Sequence, residues 1–177
     1  IPSTVNYNNR TYTVVILGSG NGYTDSTGGS TGSTAFSKNL KSIQLPSSIT
    51  SLNSYVFSGC TNLKEITLPN GITEIGWASF YGCRLSSIVI PASVKKIKMY
   101  AFKQNMSLME VFFLGSEKPE IESNVFYSCH SALTLYVPNK EAYGNARNMV
   151  QYVSFPTSTY TYTGMSPKLE WQNNLKG

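Results

Sequence analysis

The sequence predicts an α/β fold leaning to all-β: a solenoid of about five stacked coils with one parallel sheet, a hairpin cap and a C-terminal capping helix. The first observation is a phenylalanine column, Phe36, Phe57, Phe80, Phe102 and Phe126, at steps of 21, 23, 22 and 24 residues. The second is the pattern Leu-x-x-Ile-x-Leu-Pro after the first three of these. It reads Leu40/Ile43/Leu45/Pro46, then Leu63/Ile66/Leu68/Pro69, then Leu85/Ile88/Ile90/Pro91. The third is an aliphatic five residues before each later Phe, at Leu52, Ile75, Ile97 and Ile121. A period in the low twenties means that each coil buries its apolar edge against its neighbours.

Residues 1–33 are expected to form the front cap and a loop. Val5 to Ile16 reads as a hairpin turning near Asn8-Asn9, because Asn tolerates positive φ. Gly18 to Thr34 follows, mostly Gly, Ser and Thr, and such a stretch gains too little by burial to offset its ordering entropy. It reads as a mobile surface loop or an insertion into an incomplete first coil. Residues 34–138 hold the coils. In each, Ile-x-Leu alternation has the period of a strand with one buried face, and proline, which lacks an N–H, ends it. Equivalent strands of successive coils must pair in parallel. A second aliphatic set, Ile49/Leu52, Ile72/Ile75 and Val94/Ile97, lines the opposite wall. Residues 139–155 read as the capping helix, with Asn139 as N-cap and Ala142, Tyr143, Ala146, Met149 and Val150 on one face. Residues 156–177 read as a tail, a linker or the start of a further module.

The repeat resembles the BspA-like class of leucine-rich repeats, on the motif AF-x-x-C-x-x-L-x-x-I-x-L-P. Its clearest copies here run from Val56 to Pro69 and from Ser79 to Pro91. The resemblance covers residues 35–155. It implies a leucine-rich-repeat solenoid from a bacterial surface or secreted protein, serving adhesion to matrix, cells or other proteins. Coil four departs from the motif, with Asn105 in the Cys position and Leu114-Gly115 where a proline is expected. The first coil also lacks the Cys.

Composition narrows the function classes. Hydrophobic residues make up 41% of the 177, which suits a globular core, while only 13% are charged. The net charge of +5 reflects a shortage of acids as much as an excess of bases, since Asp25 is the one aspartate. The only dense basic stretch, Lys95, Lys96, Lys98 and Lys103, has no stacking platform beside it and reads as a solvated coil edge, not a nucleic-acid patch. No apolar run approaches the roughly 18 residues of a membrane span. Ile1-Pro2 reads as the start of a processed or cut fragment, with an extracellular or cell-surface location expected and no nucleic acid or membrane insertion. A monomer is expected.

Catalytic chemistry finds little support. Cys60, Cys83 and Cys129 share one repeat position, three residues past the Phe, which suits inert core thiols. Stacked side chains point in parallel and suit a disulfide poorly. Cys129 and His130 are adjacent and would point to opposite faces of an extended segment. With one histidine and one aspartate, a metal site is not expected. Glu120 and Glu122 could share a face as paired carboxylates for sugar cleavage, but solvated loop glutamates are the favoured reading. Gly18-x-Gly20-x-Gly22 lacks the ending of a phosphate loop. No enzyme and no cofactor is expected.

The candidate site is the outward face of the sheet. Between the buried aliphatics lie Ser42 and Gln44, Glu65 and Thr67, Ser87 and Val89, and Thr134 and Tyr136. Coil four has two registers. With Val111 and Phe113 buried, Glu110 and Phe112 face out, which keeps Leu108-x-x-Val111-x-Phe113 in line with the other coils and is preferred. With Phe112 and Leu114 buried, Val111 and Phe113 face out, which the spacing to Ile121 favours. In both, an apolar or aromatic stripe crosses the face, and such a stripe on a soluble protein suits a protein or matrix or glycan ligand. The alternatives are a structural spacer carrying other modules and a polysaccharide-binding accessory protein.

Overall fold

A computed structural model describes residues 4–7, 10–13, 16–17, 36, 38–138, 140–143 and 151–154. Its axis is the phenylalanine column. Phe36 stacks on Phe57 at 5.0 Å, Phe57 on Phe80 at 5.2 Å, Phe80 on Phe102 at 5.2 Å and Phe102 on Phe126 at 5.6 Å, with interplanar angles from 3° to 16°. Offset stacking of rings one coil apart adds specific ring–ring attraction to area burial. The column therefore holds the coils in register through about four turns.

Two parallel sheets flank this column, where the sequence predicts one. The first contains β6 (Ser87–Ile90), β8 (Glu110–Phe113), β10 (Thr134–Val137) and β11 (Gln151–Ser154), in the order β11-β10-β8-β6. The second runs β3-β4-β5-β7-β9, from β3 (Ile16–Leu17), β4 (Ser51–Leu52), β5 (Glu74–Ile75), β7 (Lys96–Ile97) and β9 (Glu120–Ile121). The second sheet is the wall laid down by the Ile-x-x-Ile aliphatics. Its two-residue strands bury Leu52, Ile75 and Ile97 and turn Ser51, Glu74 and Lys96 outward.

The first sheet does not extend through the early coils. Ser42–Leu45 and Glu65–Leu68 keep the outward–inward alternation at Gln44/Leu45 and Thr67/Leu68, yet form no strand. Just ahead of the second of these segments, Arg84 N–H donates to Leu63 O at 3.2 Å and Ser86 N–H to Lys64 O at 3.1 Å, bridging it to the next coil.

At the front, β1 (Thr4–Tyr7) and β2 (Arg10–Thr13) pair antiparallel with Tyr7 opposite Arg10, as the hairpin requires. Ile16 and Leu17 then pair with Ser51 and Leu52, so the solenoid's second wall begins ahead of residue 34. At the back, the predicted helix over 139–155 is corrected at 151–154, while the expected face residues Ala146, Met149 and Val150 lie outside the described residues. One turn, α1 (Lys140–Tyr143), is followed by β11, which pairs parallel with β10 from Thr134↔Gln151 to Val137↔Ser154. Gln-Tyr-Val-Ser suits a strand, and an available sheet edge outcompetes a weak helical periodicity. Tyr143 is buried as expected of the cap, while Ala142 is exposed. The expected N-cap at Asn139, the 18–34 loop and the 156–177 tail lie outside the described residues, apart from Asn139's neighbours on either side.

Each of the four coils from Phe57 to Phe126 turns at two left-handed backbone positions placed symmetrically about its Phe. Two residues before it are Tyr55, Ala78, Tyr100 and Asn124; two after it are Gly59, Gly82, Gln104 and Ser128, with φ between 49° and 70°. Left-handed conformation is costly for residues with a Cβ, so glycine at two of the eight positions is the sequence trace of a rule applied at all of them.

Candidate binding surface

Parallel pairing sets the outward residues of the first sheet side by side. Ser87 pairs with Glu110 and Glu110 with Thr134; Val89 pairs with Phe112 and Phe112 with Tyr136. On the backbone ladder Thr134 lies opposite Gln151 and Tyr136 opposite Val153 of β11. Side chains in such rows sit about one strand spacing apart, near 4.8 Å. The register question at coil four is thereby resolved in favour of the preferred alternative. Val111 and Phe113 pair with Ile88 and Ile90 and belong to the core. Phe113 is 1% exposed and is not a surface residue.

Phe112 takes the outward position, but the expectation of an exposed ring is corrected. It is only 3% exposed, and its ring stacks on Tyr136 at 4.5 Å and 7°. Val89 and Tyr136 flank it on the neighbouring strands of the ladder. Ser87, Val89, Glu110, Thr134 and Tyr136 are half-buried, whereas Gln44, Glu65 and Thr67 are exposed. The Tyr136 hydroxyl donates to Glu110 Oε1 at 3.4 Å, tying the aromatic row to the polar one.

With this geometry in place, the comparisons are specific. The model of the BspA type leucine rich repeat region matches residues 30–149 in 6 copies. The chain belongs to this family. Two solved structures share the BspA-type solenoid's shape. The pneumococcal vaccine antigen PcpA has 21% identity and a TM-score of 0.52, covering 65% of this chain and 31% of its own. A leucine-rich repeat protein from Bacteroides ovatus has 22% identity and a TM-score of 0.50, covering 90% of this chain and 46% of its own. The chain thus spans less than half the length of either relative. No curated protein matches it.

The BspA-type cysteine position proves to be a hydrogen-bonding one. Cys83 Sγ donates to Phe57 O and Cys129 Sγ to Phe102 O, both at 3.1 Å, and Cys60 Sγ approaches Phe36 O at 3.8 Å. Each thiol therefore satisfies a phenylalanine carbonyl of a preceding coil. Burial pushes the Cys83 and Cys129 thiols up to about 12 and raises Cys60, so all three stay protonated at neutral pH and are poor nucleophiles. Asn105, the coil-four substitute, is fully buried and performs the same task with an amide. Its Nδ2 donates to Phe80 O at 2.7 Å and Phe102 O at 2.8 Å, while its Oδ1 accepts from Leu85 N–H at 3.4 Å. The missing proline also has a structural counterpart: the Tyr143 hydroxyl donates to Gly115 O at 2.8 Å, and its ring meets Phe113 edge-on at 5.3 Å.

The remaining polar candidates are engaged elsewhere. His130 Nδ1 accepts from Ala132 N–H at 3.1 Å, while Cys129 points to Phe102 O, so no thiol–imidazole pair forms. Glu120 lies on β9, not in a loop, and Glu122 follows just beyond it. Lys96 Nζ bridges the two, at 2.9 Å to Glu120 and 3.1 Å to Glu122, and Lys98 pairs with Glu74 at 2.7 Å. Met99 N–H donates to Glu122 at 2.8 Å; that bond, with Lys96 beside it, lowers the Glu122 carboxyl below the usual glutamate range. Two glutamates bridged by one lysine, with a second lysine–glutamate pair beside them, form a cross-strand ion ladder. Two of the four lysines in the basic stretch are neutralised in this way. Among the described residues no group of three or more His, Cys, Asp or Glu could hold a metal, and no helix is long and apolar enough to cross a membrane.

Proposed function

We propose that this chain is a non-enzymatic recognition module of a bacterial surface or secreted protein, binding a protein or glycan partner through the outward face of its first sheet. The observation that carries this reading is the paired array of Ser87/Glu110/Thr134 and Val89/Phe112/Tyr136, side by side on strands of fixed register. Phe112, beside Val89 on the ladder and stacked on Tyr136, makes the stripe rigid, so little side-chain freedom is lost when a partner docks. Glu65, Thr67 and Gln44 add an exposed polar margin on the earlier coils, the core-and-rim composition typical of interfaces. A structural relative known as a vaccine antigen supports placing the module where other molecules reach it.

The test is a binding screen of the full chain against extracellular-matrix proteins and a glycan array, repeated with Val89→Ser and Tyr136→Ser. Both positions are half-buried, so the variants should fold. A loss of affinity of about tenfold or more is expected, since central aromatic anchors carry most interface energy. Unchanged binding by both variants would exclude this face. A screen with no saturable partner would favour the alternative of a spacer that holds other modules apart.

A further inference from the structure

A second surface, separate from the first sheet, has its own chemistry. The residue after each column phenylalanine is Tyr81, Lys103 or Tyr127 in three successive coils. Tyr81 and Lys103 are half-buried and Tyr127 is exposed. Lys103 Nζ lies between the two flanking tyrosines, 5.7 Å from the Tyr81 ring centre and 5.4 Å from that of Tyr127, and 4.4 Å from Tyr100. Trp77 meets Tyr100 edge-on at 5.8 Å and continues the aromatic wall. Tyr127 is 58% exposed, among the most exposed large apolar side chains of the described residues.

The charge balance gives this cluster its direction. Lys96 and Lys98 are held by glutamates, but among the described residues no carboxylate pairs with Lys103. Its ammonium is held by ring quadrupoles alone, which attract a cation without neutralising it. The full positive charge therefore remains available to an external anion. On either side of that charge stands an aromatic ring, two coils apart and so about 10 Å from one another. Each ring offers an apolar face and a hydroxyl. A ligand matching this pattern carries a negative group at its centre and flat C–H-rich surfaces with hydroxyls on both sides.

We propose that Tyr81, Lys103 and Tyr127 form a subsite for an anionic saccharide, with Lys103 on the carboxylate or sulfate and the tyrosines stacked on the flanking sugar rings. An acidic peptide would satisfy the charge but not the pair of flat rings spaced about it. The proposal is independent of the sheet-face reading, since none of its residues lies on the first sheet.

The test is calorimetric titration of the full chain with a trigalacturonate, with a sulfated heparin-derived oligosaccharide, with neutral galactotriose and with a hexaglutamate peptide. Saturable binding is expected for one or both anionic saccharides, weakening as salt rises, and not for the neutral sugar or the peptide. The two anionic arms distinguish carboxylate from sulfate. Tyr127→Ala and Lys103→Met should each reduce affinity about tenfold, with Tyr127→Phe and Lys103→Arg retaining most of it. Thermal midpoints of the variants near that of the parent chain confirm that the fold persists. Absence of saturable binding to both anionic saccharides would overturn the proposal. Equal binding of hexaglutamate, or affinity unmoved by both Tyr127→Ala and Lys103→Met, would do the same.

Discussion

Ser79 shows what a single repeat position tolerates. It sits just before Phe80, where the other coils place Val56, Ala101 and Val125, and it is fully buried. Its hydroxyl has no hydrogen-bond partner. A buried hydroxyl without a partner keeps its desolvation penalty and gains nothing in return. Ser79→Ala removes the hydroxyl while leaving the backbone, whose carbonyl accepts from Phe57 N–H at 2.8 Å, untouched. The variant should be more stable by about 1 kcal/mol, read as a higher urea midpoint at unchanged slope. A lower midpoint would mean that the hydroxyl does have a use in the folded state.

At the scale of elements, the thiol column and Asn105 test one idea: each coil must satisfy a phenylalanine carbonyl of a neighbouring turn. Asn105→Ala removes one donor each from the carbonyls of Phe80 and Phe102 and leaves the N–H of Leu85 without its acceptor. The expected cost is about 2–4 kcal/mol in denaturant unfolding, and Asn105→Cys should recover part of it by restoring the donor used in the other coils. A cysteine variant no better than alanine would remove the equivalence. The ion ladder of the second sheet makes a pH prediction. Glu122 has a lowered folded-state pKa, so its contribution is present above the ordinary glutamate value and fades as pH falls through the lowered one. Glu122→Gln should therefore be less stable than the parent chain at neutral pH. The gap should close in acid, as followed by thermal melts from neutral pH downward; a gap constant with pH would contradict the assignment.

These elements also show what could be read in advance. The Phe column and the inward aliphatics were legible because period and polarity repeat in the letters themselves. The second sheet was half legible: Ile-x-x-Ile marked its wall, but two-residue strands are too short to show an alternation. The end of the cap was not legible, because the composition of Gln151–Ser154 fits the last turn of a helix as well as a strand. The Phe112 environment was not legible at all, since alternation gives the side of a sheet but not what packs over it. The lysine between tyrosines was hidden for a similar reason. Tyr81, Lys103 and Tyr127 are more than twenty residues apart from one to the next and become neighbours only through stacking.

At the scale of the molecule, a solenoid is stable as a sum of coils and of joints between them, since each coil contacts only its neighbours. The joint between the coil of Phe57 and the coil of Phe80 is the unusual one. On one side it is well tied, with Tyr55 N–H to Trp77 O at 3.0 Å and Gly59 N–H to Tyr81 O at 2.7 Å. On the other, Glu65–Leu68 makes no ladder with β6, so the first sheet stops there. At this joint Gly76 packs directly on backbone. A Cβ at Gly76 would press into Leu52 O and lie 2.6 Å from the carbonyl carbon of Asn53. Neither is the end of a flexible side chain, so the coils themselves must separate to admit it. Gly76→Ala should cost on the order of 3 kcal/mol and act on one joint rather than on the whole stack. Hydrogen exchange followed by mass spectrometry should then show faster exchange at Tyr55, Phe57 and Thr73, whose amides cross this joint. Met109 and Leu114, bonded to Ser86 and Ile90 on the far side, should keep their protection. A uniform rise across all of these amides would instead make the solenoid a single cooperative unit, with the gap in its first sheet carrying no energetic weight.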